Sequence, residues 1–389
     1  MDKLSTDRRS FLRFGLAGAG ALAVGPGILA ACQPSTGGGG GPTTTAPVSN
    51  LPFGPLSAAN ADGLELPAGF TSRVVAVSGQ LVSGTAYTWH VNPDGGACFV
   101  RPGGGWTYVS NSEINPGGGV SALDFNAAGT IVAARSILSG TQQNCAGGAT
   151  PWGSWLSGEE VSRGKIWECD PTGTVPGVAR DALGWFTHEA AAVDPTTGRI
   201  YLTEDRTDGA LYRFTPTTAG NLSAGLLEVL TESGGLGWAA VPIPNPSTAQ
   251  TSTRLQVATT KHFNGGEGIW YHAGTIAFTT KGDNRVWSYD IAANTLTVIY
   301  DAATHPTPIL TGVDNVCGSA SGNLYVAEDG GNLEIVILKA DGTAGVVARR
   351  AGDIGSELTG VAFSPDGSRL YFSSQRSPGT TLEVTGPFI

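Results

Sequence analysis

Helical periodicity is nearly absent from this chain of 389 residues. From about residue 66 onward, short apolar runs are punctuated by glycine and proline, so folds built on helices are excluded. Basic residues are few, with 22 Lys and Arg against 32 Asp and Glu and a formal charge of −10. Nucleic acid, whose phosphates demand many cations, is therefore a poor partner. Cysteine is scarce as well. Of five, one falls in the N-terminal segment, leaving Cys98, Cys145, Cys169 and Cys317. One disulfide among Cys98, Cys169 and Cys317 fits that count, with Cys145 left out of it. No long apolar run survives inspection. Residues 14–31 contain five glycines and one proline, a poor spanning helix. Nor does any Ser–His–Asp arrangement stand out.

Residues 1–32 belong to targeting rather than to fold. Arg8-Arg9-Ser-Phe-Leu-Arg13 is a twin-arginine pattern, and Leu29-Ala30-Ala31-Cys32 looks like a lipoprotein box whose cysteine takes a lipid. Residues 33–50, rich in Gly, Pro and Thr, form a flexible tether. The expected location is the cell envelope, with lipid at Cys32 as the one membrane contact and a monomeric domain over 51–389.

The body repeats. Residues 188–230 read as four short strands with turns between them, and 267–300 and 313–348 read the same way. Thr359-Gly-Val-Ala-Phe-Ser-Pro-Asp-Gly-Ser-Arg-Leu-Tyr-Phe opens a last copy. Earlier copies lie over 97–138 and from Cys145 onward. A period of roughly 40–50 residues is that of a β-propeller. The expected fold is all-β, a single six-bladed propeller. Its short last blade is completed by Ser72–Ser78 from the N-terminal side, which removes free sheet edges. Five or seven blades fit similar spacing, and a pair of β-sandwiches is the competing architecture. The polar stretch 231–264 exceeds a turn and reads as an excursion over one face.

One segment concentrates chemistry: Asn144-Cys-Ala-Gly-Gly-Ala-Thr-Pro-Trp-Gly-Ser-Trp-Leu-Ser-Gly-Glu159-Glu160. It joins a thiol and paired carboxylates to glycines suited to close backbone passage. Aligned on their second strands, the blades end in Glu113, Glu159-Glu160, Glu204-Asp205, Lys281 with Asp283, Glu328-Asp329 and Gln375-Arg376. The first strands begin with Cys145, His188-Glu189, Glu267 and Asp314-Asn315, with Glu357 just before the last. Antiparallel neighbours end and begin at the same level, so the repeat gathers these acids around one mouth of the channel. Crowded carboxylates raise one another's pKa or take cations. Their oxygens suit Ca²⁺, and a thiolate among them points to a transition metal such as iron.

These segments, with Thr187-His-Glu-Ala-Ala-Ala-Val-Asp-Pro195, Ile200-Tyr-Leu-Thr-Glu-Asp-Arg206, Lys281-Gly-Asp-Asn-Arg-Val-Trp287 and Ser374-Gln-Arg-Ser-Pro-Gly379, resemble the PhoX-type alkaline phosphatases. These are exported bacterial enzymes. The resemblance spans about residues 66–389. It implies a propeller with Fe³⁺ and Ca²⁺ at one end, hydrolysing phosphate monoesters. It implies Cys145 as an iron ligand and Glu113, Glu160, Glu189, Glu204, Glu267 and Glu328 as iron or calcium ligands. Glu159, Asp205 and Asp314 join them from the register alone. Lys281 and Arg206, beside that register, are the candidates to meet charge on the phosphoryl group. Ser112 stands where the family has histidine, and the segment at 375 is one residue longer. A calcium-dependent propeller lactonase or esterase, or a tethered binding propeller with structural metals, are the alternatives.

Overall fold

The computed structural model describes residues 52–352, 355–376 and 378–389. The twin-arginine segment, the lipoprotein box and the tether lie outside them. The described residues form six antiparallel sheets and no α-helix. The inner strands, in chain order, are Pro93–Val100, Asn144–Ala149, His188–Val193, Gly266–His272, Val313–Gly318 and Leu358–Phe363. Each touches the inner strand of the next sheet, and the last touches the first, so the sheets are blades of a closed propeller.

Each blade follows from short apolar strands joined by turns that satisfy their own backbone. Asp194, Asp366 and Asn126 fold back to accept the N–H groups of Thr196, Ser368 and Ala128, the local bonding that makes Asx residues turn formers. The core divides accordingly into six apolar clusters, one per blade–blade interface. Between the last blade and the first, Tyr108 stacks on Tyr371 at 4.9 Å and the Trp106 indole donates to the Tyr371 hydroxyl at 3.1 Å.

Thr71–Val77 pairs with Thr380–Thr385 and supplies the outer strand of blade six, so both ends of the domain share one sheet. A second N-terminal piece, Leu64–Glu65, extends blade five by pairing with Ala344–Arg350, which the repeat did not foretell. The excursion after residue 231 stays attached. Gly237–Ala240 forms a fifth strand on blade three, and His262–Phe263 returns to pair with Gly209–Thr218. Among the described residues no helix is long and apolar enough to cross a membrane. Cys98, Cys145, Cys169 and Cys317 are all free thiols, so the disulfide allowed by the cysteine count is not formed. Cys98 and Cys317 instead line a cavity of about 400 Å³ at the channel end away from the acids.

Candidate metal centre at the channel mouth

Every inner strand carries a bulge near its start, where two of its residues oppose one on the second strand. A bulge re-aims a side chain. At the bulge or beside it stand Asp94, Cys145, Glu189, Glu267, Asp314 and Thr359. A second register comes from the residue following each second strand. Glu113, Glu160, Asp205, Lys281, Asp329 and Gln375 each donate a backbone N–H to the carbonyl just before the inner strand, at 2.7–3.2 Å. Two six-fold sets thus lie at one mouth.

Their side chains meet. Asp94, Glu113 and Cys145 offer ligand atoms within 4.8 Å of one another, as do Cys145, Glu160 and Glu189. Glu189, Glu267 and Asp314 make a third such group, and Asp314, Asp329 and Glu357 a fourth. The groups share members and form one continuous arc. The Cys145 Sγ lies 3.2 Å from Glu189 Oε1 and 3.7 Å from Asp94 Oδ2. Lys281 Nζ lies 3.1–3.2 Å from Glu267, Asp314 and Asp329. It is a built-in cation in one half of the arc.

The electrostatics follow from this crowding. Burial, then Asp94, Glu189, Glu113 and Glu160, push the Cys145 thiol well above its usual pKa. Burial and the acids Glu160, Asp314, Asp94 and Asp205 raise Glu189. Burial also raises Glu267, against the pull of Lys281. Burial alone would lower Lys281, but Asp314, Glu267 and Asp329 hold it well above the ordinary lysine value. Without added cations Cys145 and Glu189 favour their protonated forms; a bound cation would reverse that preference and ionise a coordinating thiol. The residues fit such ions. Glu189 Oε2 is buried with no hydrogen-bond partner, an orphan that a cation would satisfy.

The backbone explains the sequence of the thiol segment. A Cβ on Gly148 would lie 1.8 Å from the Ala191 carbonyl oxygen, and one on Gly147 1.9 Å from that of Leu156. Only glycine lets these strands pass. Asn111 of blade one donates to the carbonyls of Cys145 and Ala146 and accepts from the Trp155 indole, so Trp155 serves to lock Cys145 in place. Trp152 is exposed and bonds Glu168 instead.

Not every candidate acid faces the arc. Glu159 accepts the N–H groups of Gln142 and Lys165. Glu204 accepts Tyr212 Oη–H and pairs with Arg254 from the excursion. Glu328 accepts the N–H groups of Thr311 and Glu334. The reason is alternation: adjacent strand residues point to opposite sides, so Glu160, Asp205 and Asp329 occupy the mouth while their predecessors brace loops. Burial raises Glu204 to about 7, opposed by Arg254, and Glu328 to about 8. Arg206, one position past Asp205, is exposed at that strand end and makes no ion pair among the described residues. His188 is fully buried and bonds the Gly184 carbonyl. Asp94, which sequence reasoning did not single out, completes the thiol corner.

Fold and site together define a six-bladed β-propeller whose channel mouth, one thiol among carboxylates, is able to hold cations. The family model for alkaline phosphatase PhoX matches residues 100–170 and 162–286, across the strands that bring Cys145, Glu160, Glu189 and Glu267 together. Over residues 100–286 the chain is thus similar to the PhoX alkaline phosphatase family, a metal-dependent and exported one. No curated protein matches it. Among solved structures it is similar to a gluconolactonase from Xanthomonas campestris. Identity is 13%, 86% of this chain and 99% of that one are covered, and the TM-score is 0.53. A Bacteroides thetaiotaomicron protein of unknown function gives 8% identity over 81% and 76%, with TM-score 0.54. The PQQ domain of a Coprinopsis cinerea pyranose dehydrogenase gives 12% over 85% and 98%, with TM-score 0.50. At such identities the likeness is one of fold.

Proposed function

We propose that this chain is an exported phosphatase that hydrolyses small phosphate monoesters using iron and calcium in the propeller mouth. The observation that supports this best is Cys145, a buried thiol flanked by Asp94, Glu113, Glu160 and Glu189 inside the family match. A thiolate with carboxylates suits iron, and the oxygen-only half, Glu267, Asp314, Asp329 and Glu357, suits calcium. Bound there, such cations supply Lewis acidity toward phosphoryl oxygen and acidify water. Arg206, exposed beside Asp205, is free to orient the incoming phosphate. Lys281 fixes Glu267, Asp314 and Asp329 and adds positive charge where charge develops on the phosphoryl group. Export is by the twin-arginine route, with lipid at Cys32 and the domain acting as a monomer.

The likeness to a gluconolactonase reaches only the fold, so lactone or ester hydrolysis gains no residue-level support. The test is elemental analysis and a phosphomonoester assay on natively exported protein, wild type and Cys145→Ala. Loss of iron and of hydrolysis together in the variant is expected. Calcium without iron in wild type, with cleavage of lactones or of nothing, would overturn the reading.

A further inference from the structure

Blade six departs from the other blades at the mouth. Blades one, two, three and five place a carboxylate in the second register and blade four a lysine, but blade six places an amide, Gln375. Its side chain is fully buried. Nε2 donates to Asp94 Oδ2 at 2.7 Å and to Glu113 Oε2 at 2.6 Å. Those are the two carboxylates that share a three-donor group with Cys145.

The amide cannot be reversed without penalty. Its Oε1 accepts from Arg376 Nε at 3.3 Å, and Arg376 Nη2 is held by Glu357 at 2.5 Å. Turned over, the head would set its oxygen against two carboxylates and its N–H groups against a guanidinium. Every contact fixes one orientation. The other carboxylate oxygens are directed too. Asp94 Oδ1 accepts the Gly95 N–H at 2.7 Å, and Glu113 Oε1 accepts Gln143 Nε2 at 3.2 Å. Asp94 and Glu113 come from different strands of blade one, and Gln375 spans them from across the blade seam. A lysine there would compete as a cation for these carboxylates, as Lys281 does elsewhere. An amide orients them and leaves their charge for another ion.

We infer that Gln375 is a positioning residue that holds Asp94 and Glu113 so that, with Cys145, they bind one transition-metal ion, and that Arg376 sets the direction of its amide. This rests on the phosphatase reading of the mouth. The test uses natively exported full-length protein and its thiolate-to-iron charge-transfer absorption, titrated with EDTA, for wild type, Gln375→Met, Gln375→Ala and Arg376→Ala. Methionine keeps the buried volume and removes both donors. Gln375→Met and Gln375→Ala should lose the band at EDTA concentrations about 10–100-fold lower than wild type, the usual scale for a residue that orients ligands. Arg376→Ala should shift it in the same direction by less. Thermal unfolding in excess EDTA should stay near wild type for Gln375→Met, separating site from fold. Wild-type resistance in both Gln375 variants would overturn the inference while leaving the phosphatase reading intact. A wild-type protein with no thiolate band would overturn both.

Discussion

Glu159 and Glu160 are neighbours in the chain and face opposite ways. Glu159 turns into a loop and accepts the backbone N–H groups of Gln142 and Lys165 at 3.0 and 3.1 Å. Glu160 turns to the mouth, where it groups with Cys145 and Glu189. Glu159→Ala should therefore cost stability, roughly 1–2 kcal/mol for the two part-buried hydrogen bonds lost, while leaving metal content unchanged. Glu160→Ala should do the reverse. Denaturant unfolding beside elemental analysis separates the two, and equal metal loss in both would contradict the assigned facings.

Lys281 meets three carboxylates at once, yet a quarter of its side chain reaches solvent. Lys281→Met leaves those acids with no cation. In chelator the variant should lose about 3 kcal/mol, the lower end for breaking a buried pair. Added calcium should restore more of its stability than it adds to wild type. Unfolding midpoints with and without calcium check this.

His188 predicts an acid limb. Burial lowers its pKa to about 3, against 6.5 for the free side chain, although its bond to Gly184 opposes the shift. Between those values the unfolded chain binds a proton that the folded one refuses. Its contribution is therefore whole above pH 6.5 and declines as pH falls, by about 1.4 kcal/mol per pH unit. His188→Gln, which keeps a donor for the Gly184 carbonyl, should flatten the difference in stability between pH 4 and 6.5. A variant curve parallel to wild type would exclude His188 as the source.

Tyr371 joins the blade seam through its hydroxyl, which accepts from Trp106 and donates to Glu383 Oε2 at 2.6 Å. Tyr371→Phe preserves the stack on Tyr108 and strands the Trp106 indole N–H. A loss of about 1–3 kcal/mol in denaturant unfolding is expected, with metal content untouched.

Much of this was legible in the sequence. The blade repeat, the closing strand near Ser72 and the gathering of acids at one level all follow from strand spacing. What spacing does not reveal is phase. Glu159 or Glu160, Glu204 or Asp205, Glu328 or Asp329 can face the channel, and which does depends on alternation and on the inner-strand bulges. No residue pattern marks those bulges. Asp94 was hidden for another reason: it lies ahead of the copy expected over 97–138, and only the pairing of the inner strands sets it in register with Cys145. The repeat placed Gln375 in the register without its role, and Gln143 gave no signal, because amides acquire meaning only from the carboxylates they touch.

The sharing of blade six between the two ends of the domain bears on when the site comes into being. Its outer strand is among the first made and its other three are the last. Gln375 therefore has no sheet to sit in until synthesis has nearly finished. A nascent chain already owns Asp94, Glu113 and Cys145, yet nothing clamps the two carboxylates together. The clamp on Asp94 and Glu113 beside Cys145 is thus a product of ring closure, and a truncated or stalled chain lacks that clamp even though all three residues are present.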